Sequence, residues 1–351
     1  MRILSVLPAL LIRAHARHHP YNMLSLSREL REAYVARHPA RRLLLHDALL
    51  VLPVLIAEKL MGLGPWNKAL RASSADPDQD PANPFATILK HFGTPVHVSE
   101  ADLAKLPAAG PTILYGLHPT GPLEVLGAMS LALTRRPDVK VVAVNEFKYL
   151  GNTRDYFFGV DFVSPEPERT ENNRRIREAI KRHLKSGGAL IIFPSAKPAR
   201  RVDGRLWEPP FNPSAAKYGR EFSATMVPFM MDTRLSDRFY RASGRSRFAA
   251  LWRYALHARK AGRLDFRVGE PIDPAPFTAV PGATAEDLSA VANLNDLMRI
   301  RADLLAPDYH PGSFTPPTIV REREAAARKA ARAALRQTDS TGVRGRIRSR
   351  S

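Results

Sequence analysis

Between about residues 84 and 275 the chain alternates short apolar runs with longer stretches whose apolar residues recur every three or four positions. The short runs fall at 112–117, 140–144, 161–164, 189–193, 225–230 and 264–268, and their length and β-branched content predict strands. The clearest helical stretch is 171–185, where Ile176, Ile180 and Leu184 share one face and Gly187-Gly188 provides a stop. Further helices are predicted over 122–134 and 286–305. Strands alternating with amphipathic helices predict an α/β fold: a single domain over 84–305, with a largely parallel central sheet flanked by helices.

The two ends of the chain have a different pattern. Residues 1–71 form a helical, basic N-terminal region, and 72–83, rich in Ser, Asp and Pro, is the best linker. Two apolar runs stand in that region, 3–12 followed by Arg13 and Arg17, and 48–57 bounded by Asp47 and by Glu58 and Lys59. Neither reaches the ~20 residues that a spanning helix needs. Short apolar segments with basic flanks suit helices lying in a membrane interface, while a hairpin packed on the core is the alternative. Ala14-His-Ala16 has the form of a signal-peptidase site, but Arg13 interrupts the small, neutral approach to it. His15, His18, His19, His38 and His46 lack the acidic partners and spacing of a metal site and are read as solvated or interfacial. Residues 306–351 carry a basic helix and a tail predicted to be disordered; 321–351 holds ten Arg or Lys against three Asp or Glu.

Composition changes the picture in two ways. A formal net charge of +19 over 351 residues draws the surface toward polyanions, whether membrane, nucleic acid or acidic substrate. Aromatic and basic residues are not interleaved as in single-strand binders, and no zinc-finger spacing occurs, so nucleic acid is the weaker partner and an anionic membrane surface the stronger. The absence of cysteine removes disulfides, thiolate metal sites and thiol nucleophiles.

The candidate chemistry sits where the first of these strands ends. Pro119 and Gly121 break the run at 112–117, His118 falls on the rim, and the next helix opens with Glu124 in its first turn. A rim histidine titrates near neutrality and can serve as a general base. It can equally do no more than hydrogen-bond the turn. Glu124 has two roles open to it: orienting the imidazole, as a triad carboxylate does, or complementing the helix N-terminus. Backbone N–H groups at Thr120 and Gly121 are candidate oxyanion donors. Lys197, Arg200 and Arg201 follow the run at 189–193, on the rim where such sheets bind ligands; they suit a phosphate or form a solvated loop.

The order of these elements resembles the glycerolipid acyltransferase superfamily, which includes the lysophosphatidic acid and diacylglycerol acyltransferases. The resemblance covers about residues 85–305. Tyr115-Gly-Leu-His118-Pro-Thr-Gly121 is similar to the His-Pro-His-Gly block of the diacylglycerol branch, and Gly159-Val-Asp-Phe162-Val163 to the block Gly-x-x-Phe-Val-Asp-Arg. Phe193-Pro194-Ser195 stands where the superfamily carries Phe-Pro-Glu-Gly-Thr-Arg; Val227-Pro228 and Gly269-Glu-Pro271-Ile272 are similar to its two later blocks. Two charges depart from the pattern, with Ser195 in place of Glu and Pro165 in place of Arg.

The resemblance implies a membrane-associated O-acyltransferase, peripheral or monotopic on the cytoplasmic face of the cell membrane. It would move a fatty acyl group from acyl-CoA or acyl carrier protein to a hydroxyl of a glycerolipid-like acceptor, with His118 as general base assisted by Glu124. Thr120, Gly121, Phe193, Pro194, Ser195, Lys197, Arg200 and Arg201 would line the substrate site. No metal or redox cofactor is implied. The competing expectation is a basic membrane-surface scaffold that keeps the fold without catalysis.

Overall fold

The computed structural model describes residues 64–144, 151–162, 164–237, 239–240, 260–277 and 284–317. The apolar runs at 3–12 and 48–57, the five N-terminal histidines and the tail at 321–351 lie outside them. Two compact units divide at His310 and Pro311, and the sheet with its helices belongs to the first.

Helices α1 (Gly64–Ser74) and α2 (Pro84–Phe92) open the described chain, and Trp66 of α1 stacks on Phe92 of α2 with ring centroids 3.9 Å apart. The segment between them is tied down: Asp76 and Asp80 cap local turns, and the Asp76 carboxylate meets His91 at 2.7 Å. Residues 64–74 therefore pack on the domain itself, and the stretch read as a linker is a closed turn. Strand β1 (Val96–Val98) and a short helix α3 (Glu100–Ala104) follow.

The central strand β2 (Thr112–Gly116) leads into helix α4 (Pro122–Leu133). Then come β3 (Lys140–Val144), β4 (Phe157–Val160), helix α5 (Glu168–Lys185) and β5 (Ala189–Ile192). A small antiparallel hairpin of β6 (Arg200–Val202) and β7 (Arg205–Trp207) precedes helix α6 (Ser214–Glu221). Strands β8 (Thr225–Met231) and β9 (Leu264–Val268) and the long helix α7 (Thr284–Leu305) complete the unit.

The seven-stranded sheet has the order β1-β9-β8-β2-β5-β3-β4. Strands β8, β2, β5, β3 and β4 run parallel; β9 is antiparallel to β8, and β1 is parallel to β9. The fold is α/β with a largely parallel sheet, as the alternation predicts. Every residue of β2 and β5 is buried, which is why those segments read as continuous apolar runs and not as alternating ones. Gly116 ends β2 where a Cβ would stand 2.7 Å from the Phe229 carbonyl, so only glycine lets β2 and β8 approach here.

One expected strand moves. The sequence places it at 161–164, whereas the strand is Phe157–Val160. Asp161 ends it, because its side chain accepts the Ser164 N–H and its own N–H donates to Asn173, diverting the backbone from the ladder.

Candidate active site

β2 lies at the middle of the sheet with β5 and β8 on either side, so the chain leaving it emerges at the carboxyl edge of the parallel strands, where open α/β sheets place ligands. His118 stands two residues beyond β2 with its side chain 14% exposed, on the rim as expected. Its Nδ1 lies 2.6 Å from Oε1 of Glu124, whose side chain is fully buried. The contact is short but off the N–H axis, so it acts through charge more than as an aligned hydrogen bond. A negative charge beside Nδ1 favours the ring proton on that nitrogen, with the lone pair on Nε2.

The helix start explains how Glu124 is held. Its Oε1 accepts the N–H groups of Thr120, at 3.0 Å, and Gly121, at 2.6 Å, while Oε2 accepts the Thr120 hydroxyl. Gly121 has φ of 97°, a backbone that L side chains rarely adopt, and Pro122 follows it at the first turn of α4. Glu124 therefore closes the helix N-terminus with its charge set against the imidazole, the geometry that both roles weighed for it require. The N–H groups of Thr120 and Gly121, expected to face an oxyanion, point into this carboxylate instead.

A second carboxylate, absent from the sequence reading, reaches the histidine from far along the chain. Glu208, directly after β7 and only 1% exposed, accepts the backbone N–H of His118. No motif marks it, since the contact spans 90 residues and Glu208 sits among prolines in a loop. Burial pushes its carboxyl up to about 7, against the opposing pull of the Ser195 hydroxyl, the His118 charge and N–H, and Arg299. For His118, burial lowers the imidazolium pKa, but the charges of Glu124 and Glu208 more than offset it, and the net direction is upward.

The other expected residues fall in two groups. The Phe193 ring packs 4.8 Å from the imidazole, the Pro194 carbonyl accepts Asn212 N–H at 2.9 Å, and buried Ser195 donates to the Lys197 carbonyl at 3.2 Å. Arg200 lies 4.6 Å over Trp207, with Nε and Nη2 buried and without an acceptor among the described residues. Lys197 is exposed. Arg201 is committed elsewhere, 2.9 Å from Asp237 and donating to the Gly204 carbonyl, so of the three expected cations it is the one already neutralised. The second block starts in the last two residues of β4, the edge strand of the sheet, and Phe162 just past it is 57% exposed.

No protein-family profile matches the chain, and no curated protein matches it. Among solved structures, it is similar to the 1-acyl-sn-glycerophosphate (LPA) acyltransferase PlsC from Thermotoga maritima, at 15% identity over 87% of this chain and 95% of that one, with a TM-score of 0.37.

Proposed function

We propose that the chain is an O-acyltransferase that moves a fatty acyl group from acyl-CoA or acyl carrier protein to a hydroxyl of a glycerolipid-like acceptor. The observation that carries this reading is His118 on the carboxyl rim of the sheet with Nδ1 against the buried Glu124 carboxylate. Nε2 takes the proton of the acceptor hydroxyl as its oxygen attacks the thioester carbonyl. Collapse of the tetrahedral adduct expels the thiolate, and the imidazolium returns the proton to it, so that one ester forms and one thioester breaks. Because a base must be unprotonated and the His118 pKa is raised, activity rises with pH through that pKa. Arg200, with two buried donors that lack acceptors among the described residues, suits an anionic group of donor or acceptor.

Association with an anionic membrane face belongs to the same reading, supported by the net charge of +19 and the apolar runs near the N-terminus. Among the described residues no helix is long and apolar enough to cross a membrane. A non-catalytic scaffold is the second reading, favoured by Ser195 and Pro165 where the superfamily carries charges.

The deciding experiment offers labelled acyl-CoA and acyl carrier protein with lysophospholipid, diacylglycerol, amino-lipid and long-chain alcohol acceptors, to the wild type and to His118→Ala. Transfer by the first and not the second supports an enzyme; a folded wild type inert toward every pair supports the scaffold. Vesicle co-sedimentation tests the membrane part. Removal of residues 1–62 should cost most binding to anionic vesicles, and removal of 321–351 only the salt-sensitive share.

A further inference from the structure

The β6–β7 hairpin grips the peptide of His118 from both of its ends. Ala199, immediately before β6, donates its N–H to the His118 carbonyl at 2.7 Å. Glu208, immediately after β7, accepts the His118 N–H. Both polar groups of one peptide-linked residue are thus taken by the two ends of a single hairpin. A tight antiparallel register that pairs Arg200 with Trp207 holds those ends side by side.

The hairpin is itself anchored on the chain leaving α7. Leu206 donates to the Asp308 carbonyl at 3.1 Å and accepts from His310 N–H at 2.7 Å, and Arg205 reaches the carbonyls of Pro307 and Tyr309. Glu208 Oε1 holds the His118 N–H and Oε2 is buried without a hydrogen bond among the described residues, so unlike Glu124 this carboxylate closes no helix start. We propose that Glu208 is a positioning residue for His118: through the backbone N–H it fixes where the imidazole stands, and through its charge it sets how tightly the ring holds a proton.

The charged and titratable groups around this carboxyl come from several elements: His118 beyond β2, Ser195 beyond β5, Arg299 on α7 and Tyr309 beyond α7, with Glu124 of α4 beside the imidazole. Of these, Arg299 and protonated His118 favour the ionised form, and burial opposes it. Near neutrality Glu208 therefore changes charge beside an imidazole whose own pKa is raised, and two carboxylates bracket one imidazole.

The proposal rests on His118 being the base, yet its test reads His118 directly. In protein labelled with [15N]histidine, the ring signal absent from His118→Ala identifies the residue. In Glu208→Gln, which keeps an acceptor for the N–H but no charge, the ring titration should move down by on the order of one unit, the scale of a nearby opposite charge. Glu208→Asp, which keeps the charge on a shorter arm, should restore part of the shift. In activity the acidic limb of kcat/KM should move with it, and kcat should fall roughly tenfold with KM little changed. General damage to the fold would lower activity without moving the limb.

An unchanged His118 titration in Glu208→Gln overturns the proposal, whether or not transfer is detected. A wild type without transfer, but with the shifted titration, instead overturns the enzyme reading and leaves Glu208 as inferred. Should the amide variant fail to fold, the wild type still decides, because the His118 amide proton must shift as Glu208 ionises near pH 7 if the two are bonded. A flat amide shift across that range refutes the contact.

Discussion

Two buried clusters at opposite ends of the parallel strands handle their polar groups in contrary ways. At the amino end, Arg136 is 1% exposed, yet all its nitrogens are used. Nε and Nη2 hold the Asp138 carboxylate, Nη1 reaches the Pro107 carbonyl and the Thr112 hydroxyl, and Nη2 also reaches the carbonyls of Gly110 and Gly187. It ties together the starts of β2 and β5. At the carboxyl end the hydroxyls of Tyr115 and Tyr309, Oε2 of Glu208 and two nitrogens of Arg200 are buried without a hydrogen bond among the described residues. A buried polar group left unpaired costs about 1–3 kcal/mol. One end pairs its groups within the fold and braces the sheet; the other gathers buried donors and acceptors that no described residue pairs.

The sharpest way to break that contrast is His118→Ala. Loss of a general base costs roughly 10²- to 10⁴-fold in turnover, and because the residue lies on the rim the circular dichroism should not change. Full activity with an intact fold would remove the carboxyl end from the chemistry.

Arg136→Met should do the reverse. The thioether side chain keeps much of the length but takes the guanidinium donors from the Pro107 and Gly187 carbonyls and from Asp138, while Gly110 keeps the Thr112 hydroxyl, for a loss of about 3 kcal/mol in stability. Denaturant unfolding reads that loss, while kcat per folded molecule should hold. A fall in kcat without a fall in stability would mean that the two ends are not separate in purpose.

Glu124→Gln is expected to sit between these extremes. Its oxygen can still accept from Thr120 and Gly121, so the helix start survives, but the charge beside Nδ1 is gone. Turnover should drop roughly tenfold, clearly less than for His118→Ala. Equal and total losses in the two variants would make Glu124 itself the base.

The two carboxylates also show what a sequence can and cannot disclose. Glu124 was legible because its partner is six residues away, inside one strand-turn-helix unit whose breakers and apolar runs are all local. The same locality made strands Lys140–Val144 and Leu264–Val268 readable to the residue. Glu208 was not legible, because its contact depends on a hairpin of two three-residue strands, too short for any period to register. A capping carboxylate and an oxyanion call for the same donors, so sequence alone does not tell which of the two the Thr120 and Gly121 N–H groups meet. Arg201 looked equivalent to Arg200 along the chain, and only the fold sets Asp237 beside one and Trp207 under the other.

The smallest expected effect is one of stability against pH, and it follows from Glu208. Its carboxyl stands at about 7 in the fold against an ordinary 4.5, so the folded state binds this proton more tightly than the unfolded chain. A raised pKa contributes stability that is fully present below pH 4.5 and is lost as pH rises through about 7. Above that window the ionised carboxylate is a burden that Gln does not carry. The full shift corresponds to about 3 kcal/mol, and losing the attraction to the His118 ring returns part of it, so Glu208→Gln should gain on the order of 1 kcal/mol at pH 8. The gain should fade toward pH 5 and vanish or reverse below it. Thermal unfolding of the two proteins across that range reads the crossing, and a difference independent of pH would mean that Glu208 stays charged in the fold throughout.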